Sequence, residues 1–300
     1  MSNKLLLIIQ FLIFSFFIGA TYLKDNFDSA FQTYGEENLY KVYALKIPQN
    51  INFSGEEVPI DLFDIRERLD KELLVNTYWQ SNMLLLIKRA NRFFSVIEKI
   101  LKEEEVPDDF KYLAVIESGL ENVRSPKGAK GIWQLMPYTA KEYGLEVNKN
   151  VDERYNLELS TRVACKFLKK AKNKFGSWTL AAAAYNRGIS GISRNLEKQK
   201  VSNYYDLLLG KETSRYIFRI LAVKEIMKNA EKYGFIFQEN DLYKSIESRE
   251  IKLDTAISNI VDFSKKLGLN YKTIKIFNPW LLENHLNNKS KKKYLIKIPK

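Results

Sequence analysis

Cysteine and histidine are almost missing from this 300-residue chain, with Cys165 and His285 the only ones. One thiol excludes an intramolecular disulfide, and one imidazole excludes a histidine-built zinc site or a Ser-His-Asp triad. The sequence calls for no metal and no cofactor, so any bond-cleaving chemistry must run on carboxylates, hydroxyls and amides. Proline (7) and glycine (13) are sparse enough that each reads as punctuation between elements. Strand-type alternation is missing between residues 61 and 234, which points to an all-α region. What is present is apolar: 45% hydrophobic and 13% aromatic residues exclude a disordered chain and suffice for one sizeable core with smaller appendages.

Lysine and arginine outnumber aspartate and glutamate to give a net charge of +12. A basic cluster at Lys289 and Lys291 to Lys293 fits an anionic partner or a solvated lysine-rich surface. The first residues decide against nucleic acid. Lys4 followed by a long apolar run reads as a signal peptide over residues 1–20, with Gly19-Ala20 as a small-residue cleavage site, or as an uncleaved anchor. An exported chain meets an anionic envelope polymer or a membrane surface instead. No cysteine lies near this segment, which argues against lipoprotein anchoring.

Residues 21–60 read as an irregular lead-in: Tyr40 to Leu45 alternates weakly, and Pro48, Gly55 and Pro59 interrupt it. From 61 to 236 the period is helical. Ile65, Leu69 and Leu73 mark a helix to Asn76 capped by Asp61 or Asp64, and a second helix spans Ser81 to Glu105. Another begins at Pro107. A glycine-rich loop precedes a short helix from Pro137 to Gly144, and further helices cover 157–175, 178–186 and 213–232. Residues 237–300 read strand–helix–helix–strand, closing at Tyr294 to Ile298. The expected fold is mainly α with a small α+β C-terminal module.

Pro107 to Leu120 carries the sharpest feature. Phe110, Leu113 and Ala114 form an apolar stripe at i, i+3 and i+4, and its i+7 position is Glu117. At about 100° per residue this glutamate falls inside the stripe, not on its edge. Such a carboxyl either has a raised pKa and holds a proton near neutrality, or is paired with a buried arginine, or bends out to water.

Four segments follow in order: Ile116-Glu117-Ser118, Gly131-Ile132-Trp133-Gln134, Ala184-Tyr185-Asn186-Arg187-Gly188, and Glu212-Thr213-Ser214-Arg215-Tyr216. Their order and spacing resemble the catalytic domain of the lytic transglycosylases of the lysozyme-like superfamily, in the membrane-bound murein transglycosylase D branch. Val151 to Arg154 and Phe175 to Trp178 add to the likeness, which covers about Pro107 to Gly234. The resemblance implies a lysozyme-like helical domain that cleaves the MurNAc-β-1,4-GlcNAc bond of peptidoglycan without water, leaving a 1,6-anhydro end. Glu117 then takes the position of the sole general acid/base. One carboxylate suffices because nucleophile and electrophile belong to one sugar ring.

The same resemblance assigns substrate contacts to Ser125, Gly131, Gln134, Tyr185, Asn186 and Tyr216, with Tyr216 orienting the glutamate. Ser125 stands one residue nearer to Glu117 than is usual in the family. Trp133 either stacks on a sugar or belongs to the core, and Glu212 is expected to partner a nearby base. Ser118 is expected to cap or buttress its helix end. Leu267-Gly268-Leu269, Asn278-Pro279 and Tyr294 to Pro299 resemble a degenerate lysin-motif module, which either binds glycan or only packs on the helical domain. The implied partners are peptidoglycan strands and the envelope membrane, in a periplasmic or envelope location, with no nucleic acid and an oligomeric state left open. Two alternatives stand beside this: a muramidase-type hydrolase, for which Asp152 or Glu153 could be a second carboxylate although the Asp-Glu-Arg stretch fits an Arg-paired structural cluster better, and an inactive glycan-binding scaffold.

Overall fold

The computed structural model describes residues 42–300, of which Leu45–Lys300 forms one compact unit. The expected signal or anchor segment and most of the lead-in lie outside the described residues. Helix α1 (Phe63–Tyr78) buries Ile65, Leu69 and Leu73 completely, as their four-residue spacing requires. Neither expected aspartate caps it. Leu62 holds the cap position without a side-chain bond, and Asp64 sits in the first turn paired with Arg68 at 3.1 Å. Helix α2 (Gln80–Glu103) follows after one non-helical residue, Trp79.

The element carrying Glu117 is shorter and more enclosed than its stripe implied. Pro107 precedes a single 3-10 turn, Asp108–Phe110, and α3 is only Lys111–Ser118. All its residues from Lys111 to Ile116 are buried, so it is an encased rod and not an amphipathic surface helix. Gly119 ends it with φ 63°, the left-handed conformation glycine adopts freely.

Around α3 stand α4 (Pro137–Glu142), α5 (Leu157–Phe175), α6 (Trp178–Arg187), α7 (Ile189–Gln199) and α8 (Lys211–Lys228). Asn156 and Ser177 cap α5 and α6 through their side chains. Ala181 to Ala184 are completely buried, which lets α6 approach α5 and α8 closely. Gly188 ends α6, as the sequence reading has it, but that reading contains no helix corresponding to α7. Gly188 makes a sharp corner (φ 81°, ψ 146°), and a mostly polar helix restarts at the next residue.

The expected irregular lead-in also proves to be structured at its end. Strands β1 (Asn52–Phe53) and β2 (Glu56–Glu57) pair as a hairpin, with Ser54 and Gly55 both at positive φ in the two-residue turn. Ile51, Phe53, Val58 and Ile60 join the main core, and Glu56 accepts the backbone N–H groups of Trp178 and Thr179 at the start of α6.

The C-terminal region pairs β3 (Ser248–Leu253) antiparallel to β4 (Tyr294–Pro299), with α9 (Ile260–Lys266) and α10 (Tyr271–Phe277) between them. It has a core of its own, into which the main body inserts Val151. Asn278 fixes the turn after α10: its Nδ2 donates to the carbonyls of Ile274 and Lys297, and its Oδ1 accepts from Lys297 N. Among the described residues no helix is long and apolar enough to cross a membrane.

Candidate active site

Glu117 sits in the last turn of α3, on the wall of a cleft of about 500 Å³ that α1, Trp79, α2 and α8 complete. Burial pushes its carboxyl above the ordinary value of 4.5; a hydrogen bond from Tyr216 and the charge of Arg219 pull it down in part, while Glu212 pushes it up. The Tyr216 hydroxyl donates to Glu117 Oε1. Tyr216 is completely buried beside that carboxylate, which raises its own pKa far beyond the ordinary range and keeps it a donor.

The arginines nearest the glutamate are engaged elsewhere. Arg215 Nε and Nη2 both bond the Glu72 carboxylate, at 2.6 and 3.1 Å. Arg219 donates to the Ile116 carbonyl at 2.7 Å, and Arg89 to the Gly119 carbonyl at 3.2 Å. The arginine-paired reading of Glu117 is thereby replaced: its hydrogen-bond partner is a phenol. Among the described residues no cluster of His, Cys, Asp or Glu is arranged to hold a metal ion.

The loop after α3 holds three of the expected contact residues, and the structure gives each a visible task within the loop. A Cβ on Gly131 (φ 80°) would lie 2.0 Å from the Arg154 carbonyl, so the backbone approach that demands glycine here is to Arg154. Gln134, itself at φ 47°, donates to the Gly131 and Val123 carbonyls. Ser125 Oγ accepts the Ala129 N–H at 3.0 Å, closing a turn off the cleft wall. Ser118 buttresses the same loop by donating to the Ile132 carbonyl at 2.8 Å.

Trp133 is completely buried and its indole N–H donates to Thr161 Oγ1, so of its two readings the core one holds. Tyr185 donates to the Trp133 carbonyl at 2.7 Å, and burial together with Glu117 raises its pKa well above the ordinary value. Asn186 does not cap α6. Its Nδ2 donates to Glu212 Oε1 and its Oδ1 accepts from Thr213 Oγ1, which makes the partner of Glu212 an amide and not the base that was expected.

Asp152 and Glu153 are structural. Arg154 grips both oxygens of Asp152 at 2.8 Å and reaches the carbonyls of Gly128 and Leu135. Lys130 adds a third cation-borne bond to Asp152, and Glu153 pairs with Lys292. Sequence reasoning passed over Glu72, Arg219 and Trp79. Only Glu72 left a signal, since it stands at i+7 from Ile65 on the buried stripe of α1, as Glu117 does from Phe110.

Residues 94–208 match the family model described as "Transglycosylase SLT domain", and residues 249–300 the one described as "Soluble lytic transglycosylase C-terminal LysM-like domain". The membrane-bound lytic murein transglycosylase D of Escherichia coli (strain K12) is 28% identical over 235 residues, 75% of this chain and 50% of that protein. The chain thus spans about half the length of the curated relative it matches. Among solved structures, the 70 kDa soluble lytic transglycosylase of Escherichia coli aligns with TM-score 0.38 and 18% identity over 72% of this chain and 43% of its own. An inactive variant of the Pseudomonas aeruginosa lytic transglycosylase Slt aligns with TM-score 0.37 and 19% identity, over 50% of this chain and 26% of its own. By sequence, then, the chain is similar to the lytic transglycosylases, through the SLT-domain match over residues 94–208 and the LysM-like match over residues 249–300.

Proposed function

We propose that this protein is a peptidoglycan lytic transglycosylase with Glu117 as its only general acid/base. The observation that carries the reading is a carboxyl held protonatable by burial, bonded by a phenol and no arginine, on the wall of an open cleft. In its protonated form Glu117 donates to the glycosidic oxygen as the bond to the muramyl anomeric carbon breaks. The carboxylate then takes the proton of the muramyl 6-hydroxyl as that oxygen closes on the anomeric carbon, giving a 1,6-anhydro end. Tyr216 fixes the side chain through both steps and steadies its ionised form. In this reading residues 61–236 form the catalytic domain and 237–300 the LysM-like module. Ser125, Gly131 and Gln134 shape the loop beside the cleft, Asn186 holds Glu212 of its lining, and Tyr185 bonds the Trp133 carbonyl. The N-terminal segment directs the chain to the cell envelope.

One observation favours a hydrolase as second reading: Glu212 lines the same cleft and would supply a second carboxylate. The products separate the two. Purified protein incubated with sacculi should release anhydro-muropeptides by mass, and Glu117→Gln should lose on the order of 10²-fold or more of that activity. Reducing ends would establish the hydrolase, and undiminished digestion by the variant would remove Glu117 from the chemistry.

A further inference from the structure

The buried positions of Trp133 and Tyr216, and the engaged hydroxyl of Tyr185, leave the cleft without the aromatic face that sequence reasoning sought in its motifs. Among the described residues one aromatic side chain lines that cleft, and it is Trp79. It is 61% exposed and lies outside the 94–208 span of the family model.

Its place in the chain fixes it. Trp79 is the corner between α1 and α2, with φ −87° and ψ 61°. Its N–H donates to the Val75 carbonyl and its own carbonyl accepts from Met83 N, both at 3.1 Å, so two helices hold the backbone that bears the ring. Leu73 and Met83, on either side, are completely buried and anchor the corner. The corner is therefore built without the indole, and a large apolar ring left facing a cleft of ligand size is a surface awaiting a partner. Asn76 and Asn82, three residues to either side, line the same cleft, and each carries a carboxamide with donor and acceptor.

We propose that Trp79 is the stacking platform of a glycan subsite, its indole lying against the C–H face of a β-linked pyranose. Such a ring, with its substituents equatorial, presents a flat apolar face that matches an indole, while Asn76 and Asn82 meet its hydroxyl or acetamido groups. This rests on the glycan-cleaving reading above, and it places binding on the α1–α2 corner while the chemistry stays on α3.

The test takes the full-length Glu117→Gln protein with chitotetraose, a GlcNAc oligomer, as the probe. Trp79 is the most exposed of the tryptophans at positions 79, 133, 178 and 280. The oligomer should shift indole emission to the blue, and Trp79→Phe in the same background should abolish the shift. Trp79→Ala should bind the oligomer about tenfold more weakly. With Glu117 restored, Trp79→Ala should raise KM for solubilised glycan strands about tenfold with a smaller change in kcat, and Trp79→Tyr should recover most of the loss. Unchanged oligomer binding and KM in Trp79→Ala would overturn the subsite. Trp79-dependent oligomer binding by a protein that fails to digest sacculi would sustain the subsite and overturn the transglycosylase.

Discussion

Asp152 and Glu117 are both carboxylates drawn out of water, and the molecule treats them in opposite ways. Burial alone would raise both. At Asp152 the bonds from Arg154 and Lys130 outweigh it and hold the carboxyl below its ordinary 3.8; at Glu117 a lone phenol and the unbonded charge of Arg219 do not, and the carboxyl stays above 4.5. The first region is the seam where residues 146–154 meet the C-terminal module. There Asp152 N donates to the Trp280 carbonyl, Leu282 N to the Asn150 carbonyl, and Lys292 pairs with Glu146 and Glu153. The second is a cleft whose central acid has no cation bonded to it. Charge is satisfied by bonded cations at the seam and left without one in the cleft.

The two regions therefore respond to pH with opposite sign. A raised folded pKa contributes stability below the unfolded value that is lost as pH rises through the folded one; a depressed pKa contributes stability above the unfolded value that is lost as pH falls. Glu117 thus costs stability at neutral pH, while Asp152 and the likewise depressed Glu146 contribute it there. The largest expected effect breaks the first half of this comparison. Glu117→Gln should lose 10²-fold or more activity on sacculi and yet melt higher at pH 7, a gain that shrinks as pH falls towards the ordinary glutamate value. A variant that melts lower at pH 7 would show that the carboxylate is a structural ion.

The second half breaks at Arg154. Removing its guanidinium strands the buried Asp152 and leaves the carbonyls of Gly128 and Leu135 unbonded, so Arg154→Ala should cost about 3–5 kcal/mol in urea denaturation. A loss under 1 kcal/mol would mean that Lys130 alone carries the charge. A smaller effect is expected at Asn150, whose side chain spans the seam by donating to the His285 carbonyl and accepting from Asn287 N, each at 2.8 Å. Asn150→Ala should cost about 1–3 kcal/mol and raise amide exchange across β3 and β4 before it does so in α3. Uniform exchange across both regions would show that the seam does not set the module's stability.

The helices were legible because spacing and punctuation agree in this chain: Leu157–Phe175 begins after Asn156 and stops at Gly176, where the composition says it should. The hairpin at residues 52–57 was hidden because each strand is two residues long, too short for alternation to register. Helix α7 was hidden because it is mostly polar and restarts directly after the Gly188 that ends α6. Within the site, the glutamate-on-a-stripe pattern was sound but not unique. Glu72 shows the same pattern from Ile65, and what separates it from Glu117 is Arg215, which sits 143 residues away in sequence. Gly131 was read as a substrate contact, whereas the group its backbone approaches in the fold is the Arg154 carbonyl, and no local rule names a partner brought in by the fold.

The finest test of the comparison changes one atom at Glu117. Tyr216→Phe removes the hydroxyl that donates to the carboxylate and leaves the ring in the core. That bond favours the ionised acid and so lowers its pKa; without it the value should rise further. In the proposed reaction, which starts from protonated Glu117, activity should fall as pH rises through this pKa, and the alkaline limb of kcat/KM should move to higher pH. The plateau should drop several-fold as the side chain loses its anchor. A limb that stays in place or moves towards acid would assign the proton to another group in the cleft, with Glu212 the first to examine.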